Sequence, residues 1–215
     1  MLLPKNIADI RKEYKLRSLS EQDVEKDPFG QFTKWWEEII VSNVDEANAM
    51  TLATSTKSGI PSARIVLLKG YDENGFVFFT NYNSKKGKEL MENPNACLLF
   101  FWKDLERQVR IEGPVKKISE DESDKYFQSR PYESRLGAWS SPQSTVIESR
   151  EIVENNLETY NAKYPENVPR PAHWGGYRVK PIQFEFWQGR PSRLHDRIQY
   201  SLIENNIWKI ERLAP

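Results

Sequence analysis

The chain has 215 residues with 31 basic and 31 acidic side chains, and 29% of its residues are charged against 38% hydrophobic. This balance is typical of a soluble globular protein and excludes the disordered and fibrous classes. Because the formal net charge is zero, we expect neither a nucleic-acid partner nor an anionic membrane surface.

One cysteine, Cys97, leaves no partner for an intrachain disulfide and excludes a CxxC metal site. The N-terminal stretch lacks the apolar segment of a signal peptide, and no run approaches the roughly 18 apolar residues of a membrane helix. The sequence therefore predicts a cytoplasmic protein without a membrane anchor.

The first 26 residues carry many charges, and we expect a mobile arm with at most a short helix around Ile7 to Tyr14. Asp27 followed by Pro28 is a helix-start signal. An amphipathic helix to about Ser42 follows from apolar residues at helical spacing, namely Phe29, Phe32, Trp36, Ile39 and Ile40. Residues 27–215 are predicted to form one domain.

The next segment is rich in β-forming residues. AMTLATST, SARIVLLKGY and FVFFT are separated by tight-turn sequences at 57–59 and 72–75, which predicts an antiparallel meander. Ser84 is expected to cap a helix that runs to Glu92. ACLLFFW and RQVRIEGPVKKI then predict a further strand pair.

The second half of the chain alternates helices and strands. Ser119 and Glu122 form a capping-box pattern, and residues 145–164 have a helical period that stops before a proline-rich loop at 165–171. Strands are predicted around 177–188, 197–202 and 207–213. The fold class is therefore α+β, with a closed or nearly closed antiparallel barrel at its centre.

Several common site motifs are absent from the sequence. It has no G-x-G-x-x-G, G-x-x-x-x-G-K-[ST], H-E-x-x-H or G-x-S-x-G motif. With only two histidines, His173 and His195, we expect no metal site.

Two stretches in the first half of the chain could contact anions. Arg64 and Lys69 lie five residues apart, so an unbulged strand directs them to opposite faces. Lys85 and Lys86 follow Ser84 at a predicted helix start, where backbone N–H groups favour phosphate. Solvated surface charges explain both stretches equally simply.

Two further groups lie in the second half of the chain. Tyr126 and Arg130 are four residues apart before Pro131, with Ser134 just beyond, and this set suits a phosphate. Ordinary packing and a last-turn cation are the alternative for Tyr126 and Arg130. Three neutral hydrogen-bonding residues near element boundaries are equally compatible with caps and turns: Gln108, Gln143 and Ser144.

The sharpest local pattern is FWQGRPSRLHDR. If residues 193–197 are extended, Arg193, His195 and Arg197 project from one strand face, and Trp187 could flank a planar ligand there. An exposed strand face with a surface histidine is the alternative. A bound anion would explain why like charges cluster.

Beyond these short patterns, longer segments of the sequence show a resemblance to a known family. RIVLLK, TNYNSKKG, FFWKDLERQVRIEG, KYFQSRP, GAWSSPQS, HWGGYRV, EFWQGRPSRLHDR and WKIERLAP occur in this order over nearly the whole chain. The sequence therefore resembles the pyridoxine (pyridoxamine) 5'-phosphate oxidase family. The resemblance implies an antiparallel split β-barrel of the FMN-binding type with flanking helices, working as a homodimer with the flavin at the subunit interface.

The resemblance also assigns FMN contacts. They fall on Arg64, Ile65, Val66, Leu67, Leu68, Lys69, Phe79, Thr80, Lys85, Lys86, Gln108, Gln143, Ser144, Trp187 and Arg197. Phe79 stands where some relatives have Tyr, and Lys85 where some have Arg. A hydroxyl contact and a bidentate phosphate contact are therefore not expected at these two positions.

Substrate contacts implied by the resemblance fall on Lys69, Tyr126, Arg130, Ser134, Arg193 and His195, with Arg11 and Tyr14 of the arm as a lid. The implied reaction oxidises pyridoxamine or pyridoxine 5'-phosphate to pyridoxal 5'-phosphate and reduces dioxygen to hydrogen peroxide. Arg193, His195 and Arg197 are the candidate catalytic residues, and whether His195 moves a proton stays open.

Three other functions are compatible with the sequence. They are a flavin or pyridoxal phosphate carrier without turnover, a flavin reductase that uses NAD(P)H, and an oligonucleotide-binding barrel with aromatic stacking platforms. The zero net charge weakens the last of these.

Overall fold

The computed structural model describes residues 13–204 and 207–215. Its helices are α1 (Pro28–Val41), α2 (Lys85–Glu92), α3 (Glu120–Ser129), α4 (Tyr132–Ser140) and α5 (Glu151–Lys163). Its strands are β1 (Ala49–Ser55), β2 (Pro61–Leu67), β3 (Gly70–Asp72), β4 (Gly75–Asn81), β5 (Asn95–Trp102), β6 (Arg107–Lys117), β7 (Trp174–Val179), β8 (Gln183–Gln188), β9 (Asp196–Leu202) and β10 (Trp208–Arg212).

The chain divides into two compact units. Unit 1 comprises residues 1–47, 99–111 and 183–215, and unit 2 comprises residues 48–98 and 112–182. Strands β5 and β6 each contribute residues to both units.

Unit 1 is built on the antiparallel strands β8, β9 and β10. Helix α1 begins as predicted, with the Asp27 side chain accepting a hydrogen bond from the Gly30 N–H. Phe32 and Ile39 of its predicted apolar face are buried, whereas Ile40 is 52% exposed. Trp35, which the prediction did not include, is buried and packs edge-on against Phe186 of β8 at a ring-centroid distance of 5.2 Å. Burial of each such side chain contributes on the order of 2 kcal/mol.

Unit 2 contains two antiparallel groups of strands: β1 pairs with β2, and β4 pairs with both β3 and β7. The end of β6 pairs with β7. Phe127, Leu136, Val168 and Trp174 form a buried cluster that joins α3 and α4 to β7. This cluster supports one wall of the candidate site.

Several predicted elements are confirmed. Ser84 caps α2 through the Gly87 N–H, and Ser119 and Glu122 form the predicted capping box of α3. The strand pair β5 and β6 is also present. Of the predicted helix at 7–14, only Glu13 and Tyr14 lie within the described residues, and these two are not helical.

The prediction of one continuous strand across SARIVLLKGY is wrong, because the chain changes partners within it. The Leu68 N–H bonds to the Asn48 carbonyl beside β1, whereas the Lys69 N–H bonds to the Val77 carbonyl in β4. Strand β2 therefore ends at Leu67, and the opposite-face argument for Arg64 and Lys69 does not apply.

Three other boundaries differ from the predictions. The strand expected over 177–188 is two strands, with Pro181 in the break between β7 and β8. The polar helix expected from 145 begins only at Glu151. Pro131 does not simply end α3, since it is the N-cap of the unpredicted helix α4.

None of the helices in the described ranges is long and apolar enough to span a membrane.

Candidate functional site

A cavity of about 480 Å³ in unit 2 brings together residues that are far apart in the sequence. Its lining comes from β2 and the residue Lys69 that follows it, from β4, α2 and β7, from α3, α4 and their junction, and from the loop after α4. The predicted site residues that line it are Ile65, Val66, Leu67, Lys69, Phe79, Thr80, Lys86, Tyr126, Arg130, Ser134 and Gln143. Predicted cofactor contacts and predicted substrate contacts thus share one cavity.

Lys86 is the centre of a polar group in this cavity. Its Nζ donates to Thr80 Oγ1 at 3.1 Å and to Gln143 Oε1 at 3.0 Å. Burial, followed by the nearby charge of Arg64, lowers the pKa of Lys86, and Glu89 offsets this only in part. An anionic ligand here would stabilise the charged form of Lys86.

Three aromatic rings also line the cavity. Phe79 stacks on Tyr126 with ring centroids 3.9 Å apart, and on Trp174 at 5.3 Å. The Arg130 guanidinium lies 4.6 Å from the centroid of the Trp174 ring. Arg130 is the C-cap of α3 and follows its last turn, but it lines the same cavity as Tyr126, as the four-residue spacing predicts.

Arg130 carries a buried Nη1 atom with no hydrogen-bond acceptor among the described residues. Burial lowers the pKa of its guanidinium. A buried cationic donor without an acceptor is costly unless a ligand supplies one. A phosphate oxygen is the kind of acceptor that this arrangement can use.

Arg64 and Lys85 are held by a buried carboxylate. Glu89 accepts hydrogen bonds from Thr54 at 2.5 Å and from Ser62 at 2.6 Å, and it pairs with both Lys85 and Arg64. Burial alone would raise the pKa of Glu89, but these hydrogen bonds and the Lys85 charge hold it at about 2.

In unit 1, three rings meet. Trp187 and His195 have centroids 4.5 Å apart, and Tyr14 contacts both rings edge-on at 5.7 and 5.9 Å. The structure therefore brings together the predicted lid residue Tyr14 and two predicted ligand contacts. Arg11, the other predicted lid residue, lies outside the described residues.

The prediction that residues 193–197 are extended is wrong. Residues Pro191–Arg193 form a 3₁₀ turn, with φ of 56° at Ser192 and 61° at Arg193, and β9 starts only at Asp196. Arg193 precedes β9, so it shares no strand face with Arg197. Pro191 starts the turn, which explains why simple alternation fails here.

His195 has a defined hydrogen bond on one ring nitrogen. Its Nδ1 accepts from the Arg190 backbone N–H at 3.1 Å, so the neutral ring carries its proton on Nε2. Burial, then the charge of Arg193, lowers the pKa of His195, and Asp196 opposes this only in part. At neutral pH the residue is thus a neutral donor at Nε2.

Arg197 forms a two-point ion pair with the buried Glu185, at 2.8 and 3.0 Å. Arg110 contacts the same carboxylate at 2.6 Å. The hydrogen bonds that Arg197 donates to Glu185 raise the pKa of Arg197 and fix its orientation.

Three predicted residues are not among those that line the cavity. Leu68 is buried, Gln108 is half-buried on β6, and Ser144 is exposed with φ of 66°. Across the described ranges, no cluster of three His, Cys, Asp or Glu side chains could hold a metal ion.

Sequence-family comparisons agree with this geometry. Residues 37–164 match the family model described as pyridoxamine 5'-phosphate oxidase, and residues 174–215 match the one described as pyridoxine 5'-phosphate oxidase C-terminal dimerisation region. The chain belongs to the pyridoxamine 5'-phosphate oxidase family.

Named relatives are similar over almost their whole length. The pyridoxine/pyridoxamine 5'-phosphate oxidase of Trichormus variabilis is 58% identical and covers 99% of this chain and 100% of its own. That of Cupriavidus pinatubonensis is 57% identical over 97% of this chain and 99% of its own.

Solved structures show the same fold. PhzG from Burkholderia lata, solved with tetrahydrophenazine-1-carboxylic acid, is 31% identical with a TM-score of 0.85 over 90% of this chain and 95% of its own. An FMN-binding protein related to pyridoxamine 5'-phosphate oxidase, from Nostoc punctiforme, has a TM-score of 0.66 at 20% identity over 84% of this chain and 97% of its own. The predicted α+β split-barrel class is confirmed.

Some residues of this family member's site were not predicted. Asn81 and Trp174 line the cavity, and Glu89 and Glu185 hold predicted cations. Trp174 lies in the HWGGYRV segment, and the fold brings it beside the KYFQSRP segment. A single sequence carries no signal of such a contact in space. A buried glutamate gives no local sequence signal of its own.

Proposed function

We propose that this protein is an FMN-dependent oxidase that converts pyridoxamine or pyridoxine 5'-phosphate to pyridoxal 5'-phosphate. The alcohol loses two electrons and two protons to dioxygen, which gives hydrogen peroxide, and the amine reaction also consumes water and releases ammonia. The observation that carries the proposal is the shared cavity in unit 2, in which Lys86 and Arg130 offer two separate cationic contacts.

The residues of the cavity fit a flavin phosphate and a substrate phosphate. Lys86 has a pKa lowered by burial, and Arg130 has a buried donor without an acceptor in the described chain. Both features are unfavourable alone and are relieved by phosphate oxygens. The apolar segment Ile65–Leu67 offers a surface for a flat ring system.

FMN, when bound, supplies the two-electron acceptor and the route of those electrons to dioxygen. Lys86, Thr80 and Gln143 bind its phosphate end in this proposal, with α2 presenting its positive end nearby. Arg197, oriented by Glu185, provides the fixed cation that stabilises developing negative charge.

Substrate is bound at its phosphate by Lys69, Tyr126, Arg130 and Ser134, four residues that line the cavity. Binding energy at the phosphate holds the reacting carbon in place. His195 donates from Nε2 and orients the pyridine ring, because its Nδ1 is engaged by Arg190. Arg193 contributes a cation near the same ring.

The active form is proposed to be a homodimer with a flavin at each interface, and the match of residues 174–215 to a dimerisation region supports this. The predicted cytoplasmic location and the absence of a nucleic-acid partner stay predictions, as do the arm boundary at residue 26 and the single domain over 27–215.

The proposal is tested by an absorption spectrum of the purified protein before and after anaerobic addition of pyridoxamine 5'-phosphate. We expect flavin absorbance that bleaches with substrate and returns with air, together with hydrogen peroxide. A flavin that stays oxidised indicates a carrier, and bleaching by NADH but not by substrate indicates a reductase. Either result rejects the proposal.

The phosphate assignment has a separate test. Apoprotein is expected to bind FMN far more tightly than riboflavin, because only FMN offers the phosphate to Lys86. Equal affinities in a fluorescence titration contradict the assignment.

A further inference from the structure

The N-terminal segment 13–19 lies against the rest of unit 1 although it forms neither helix nor strand. Its apolar anchoring is weak at the end nearest Tyr14, since Leu16 is 56% exposed. Its backbone, however, is bound at specific points. Something other than apolar burial therefore holds Tyr14 against Trp187 and His195.

Glu106 accepts two of these backbone hydrogen bonds. Its Oε2 accepts hydrogen bonds from the Lys15 N–H at 2.8 Å and from the Leu16 N–H at 3.1 Å. The residue is 2% exposed and has a left-handed backbone, with φ of 54°. A buried carboxylate in a rare backbone conformation persists only where its surroundings compensate for it.

Glu106 also contacts the loop that leads to His195. Its carbonyl accepts from the Gly189 N–H at 2.7 Å and from Gln188 Nε2 at 3.2 Å. A Cβ added at Gly189 would lie 2.8 Å from Tyr14 Cβ and 3.0 Å from Glu106 Cβ. Tyr14, Glu106 and Gly189 therefore form one close-packed contact.

We propose that Glu106 is a positioning residue that binds the N-terminal segment through two backbone N–H groups and so places Tyr14 against the Trp187–His195 pair. Neighbouring contacts extend the attachment, since Arg190 donates to the Arg17 carbonyl at 3.3 Å and Asp196 accepts from the Leu19 N–H at 3.0 Å. On the proposed function, the placed Tyr14 bounds the site of the substrate ring.

The attachment is tested by trypsin cleavage after Lys15 and Arg17 in the flavin-loaded protein. E106Q loses the charge of the acceptor, and we expect cleavage about tenfold faster, the scale of a lost charged hydrogen bond. Glu13→Gln is the matched control, since it removes a carboxylate of the same segment that pairs with the exposed Lys15 side chain at 2.7 Å. Its cleavage rate is expected to match wild type.

Gly189→Ala tests the packing without altering the carboxylate. The added methyl group displaces Tyr14, so cleavage again accelerates. Cleavage after the exposed Lys57 serves as an internal measure of folding and is expected to be unchanged. If E106Q and Gly189→Ala are both cleaved at the wild-type rate, the proposal is overturned.

Kinetics test the role of Tyr14 at the site. E106Q, Gly189→Ala and Tyr14→Ala are each expected to raise KM for pyridoxamine 5'-phosphate about fivefold or more, with a smaller change in kcat. Faster cleavage with an unchanged KM rejects the proposed role of Tyr14 at the site of the substrate ring. A wild-type protein without oxidase activity rejects the proposed function, whereas the cleavage result still decides whether Glu106 holds the segment.

Discussion

Arg130 illustrates how a single side chain indicates what the cavity binds. Its guanidinium stacks on Trp174, yet one buried nitrogen has no acceptor in the described chain. Arg135 also has a buried nitrogen without an acceptor in the described chain, but of the two arginines Arg130 is the one that lines the cavity. Its unmet donor therefore lies where a ligand can supply the acceptor.

Arg130→Ala is expected to retain flavin and to lose on the order of 2 to 4 kcal/mol in kcat/KM, mostly through KM, because phosphate binding is shared by ground and transition states. Steady-state kinetics and the flavin spectrum measure both effects. Arg135→Ala is the control, since Arg135 lies on the neighbouring helix and bonds Gln128 and Asn167 outside the cavity. A colourless Arg130→Ala protein with normal turnover on added FMN would move Arg130 to the flavin site.

His195 gives a second prediction, because its neutral ring carries the proton on Nε2. Toward a ligand, this nitrogen can act as a hydrogen-bond donor but not as a base. Glutamine can place an amide N–H near the Nε2 position, whereas asparagine reproduces only the Nδ1 end of the ring. We expect His195→Gln to retain clearly more kcat/KM than His195→Asn. The opposite order contradicts a donor at Nε2.

The pH profile of the wild type follows from the same geometry. The pKa of His195 lies below its usual 6.5, so the neutral donor dominates above that pH and kcat/KM is expected to be independent of His195 there. As the pH falls through the lowered pKa, protonation of Nδ1 breaks the Arg190 hydrogen bond and activity falls. A His195-dependent rise in activity above pH 7 contradicts this account.

At the scale of elements, helix α2 places Lys86 through a close contact of its first turn. A Cβ at Gly87 would lie 2.1 Å from the Tyr82 carbonyl oxygen, so the helix approaches the preceding turn as only glycine allows. Gly87→Ala is expected to displace Lys86, to destabilise the protein by roughly 1 to 3 kcal/mol and to weaken FMN binding about tenfold or more.

Gly137→Ala is the matched control for this prediction. Gly137 lies within α4, and nothing lies within 4 Å of an added Cβ, so stability is expected to stay equal or rise by about 0.5 kcal/mol. Urea unfolding and FMN titration of the two variants provide the comparison. Similar FMN affinities for both would show that the Gly87 contact does not place Lys86.

The buried Glu89 predicts an acid-sensitive step in stability. Its folded pKa of about 2 lies below the reference value of 4.5, so its stabilising effect is complete above pH 4.5 and is lost as pH falls toward 2. Urea unfolding at pH 6 and pH 3 is expected to show a loss on the order of 1 to 3 kcal/mol that is smaller in Glu89→Gln. An equal loss in both proteins would exclude Glu89 as its source.

The elements that local chemistry specifies were predictable from the sequence. Ser84, Asp27 and the Ser119–Glu122 box define helix starts by bonds within a few residues. The error at Arg193 is local, since the turn that starts at Pro191 gives it a positive φ that strict alternation ignores. The error at Lys69 occurs because a distant partner decides, since its N–H bonds to β4. Pairing partners of this kind leave no local pattern.

At the scale of the whole molecule, the difference between local signals and partners distant in sequence also applies to the site. Eight sequence segments that occur in a fixed order suffice to recognise the family. The cavity of unit 2 then contains most of the predicted ligand residues of that unit. The carboxylates Glu89, Glu106 and Glu185 escaped prediction because each acts through a cation or a backbone group that only the fold brings near.

The C-terminal segment provides the last prediction, which concerns assembly. Within residues 174–215, which match a dimerisation region, several apolar side chains are exposed, among them Leu194, Ile203 and Ile207. Obligate dimers bury such side chains in large apolar interfaces, so wild type is expected to stay a flavin-loaded dimer at low concentration.

Ile203→Glu places a charge on this surface and is expected to shift the dimer toward monomer, with flavin released in parallel, since a buried unpaired charge is strongly unfavourable. Light scattering and flavin fluorescence on dilution follow the two events together. Val146→Glu is the control, because Val146 is 96% exposed and lies outside the C-terminal match. A monomer that retains flavin would show that the flavin site is complete within one chain, and the interfacial placement of the cofactor would then be wrong.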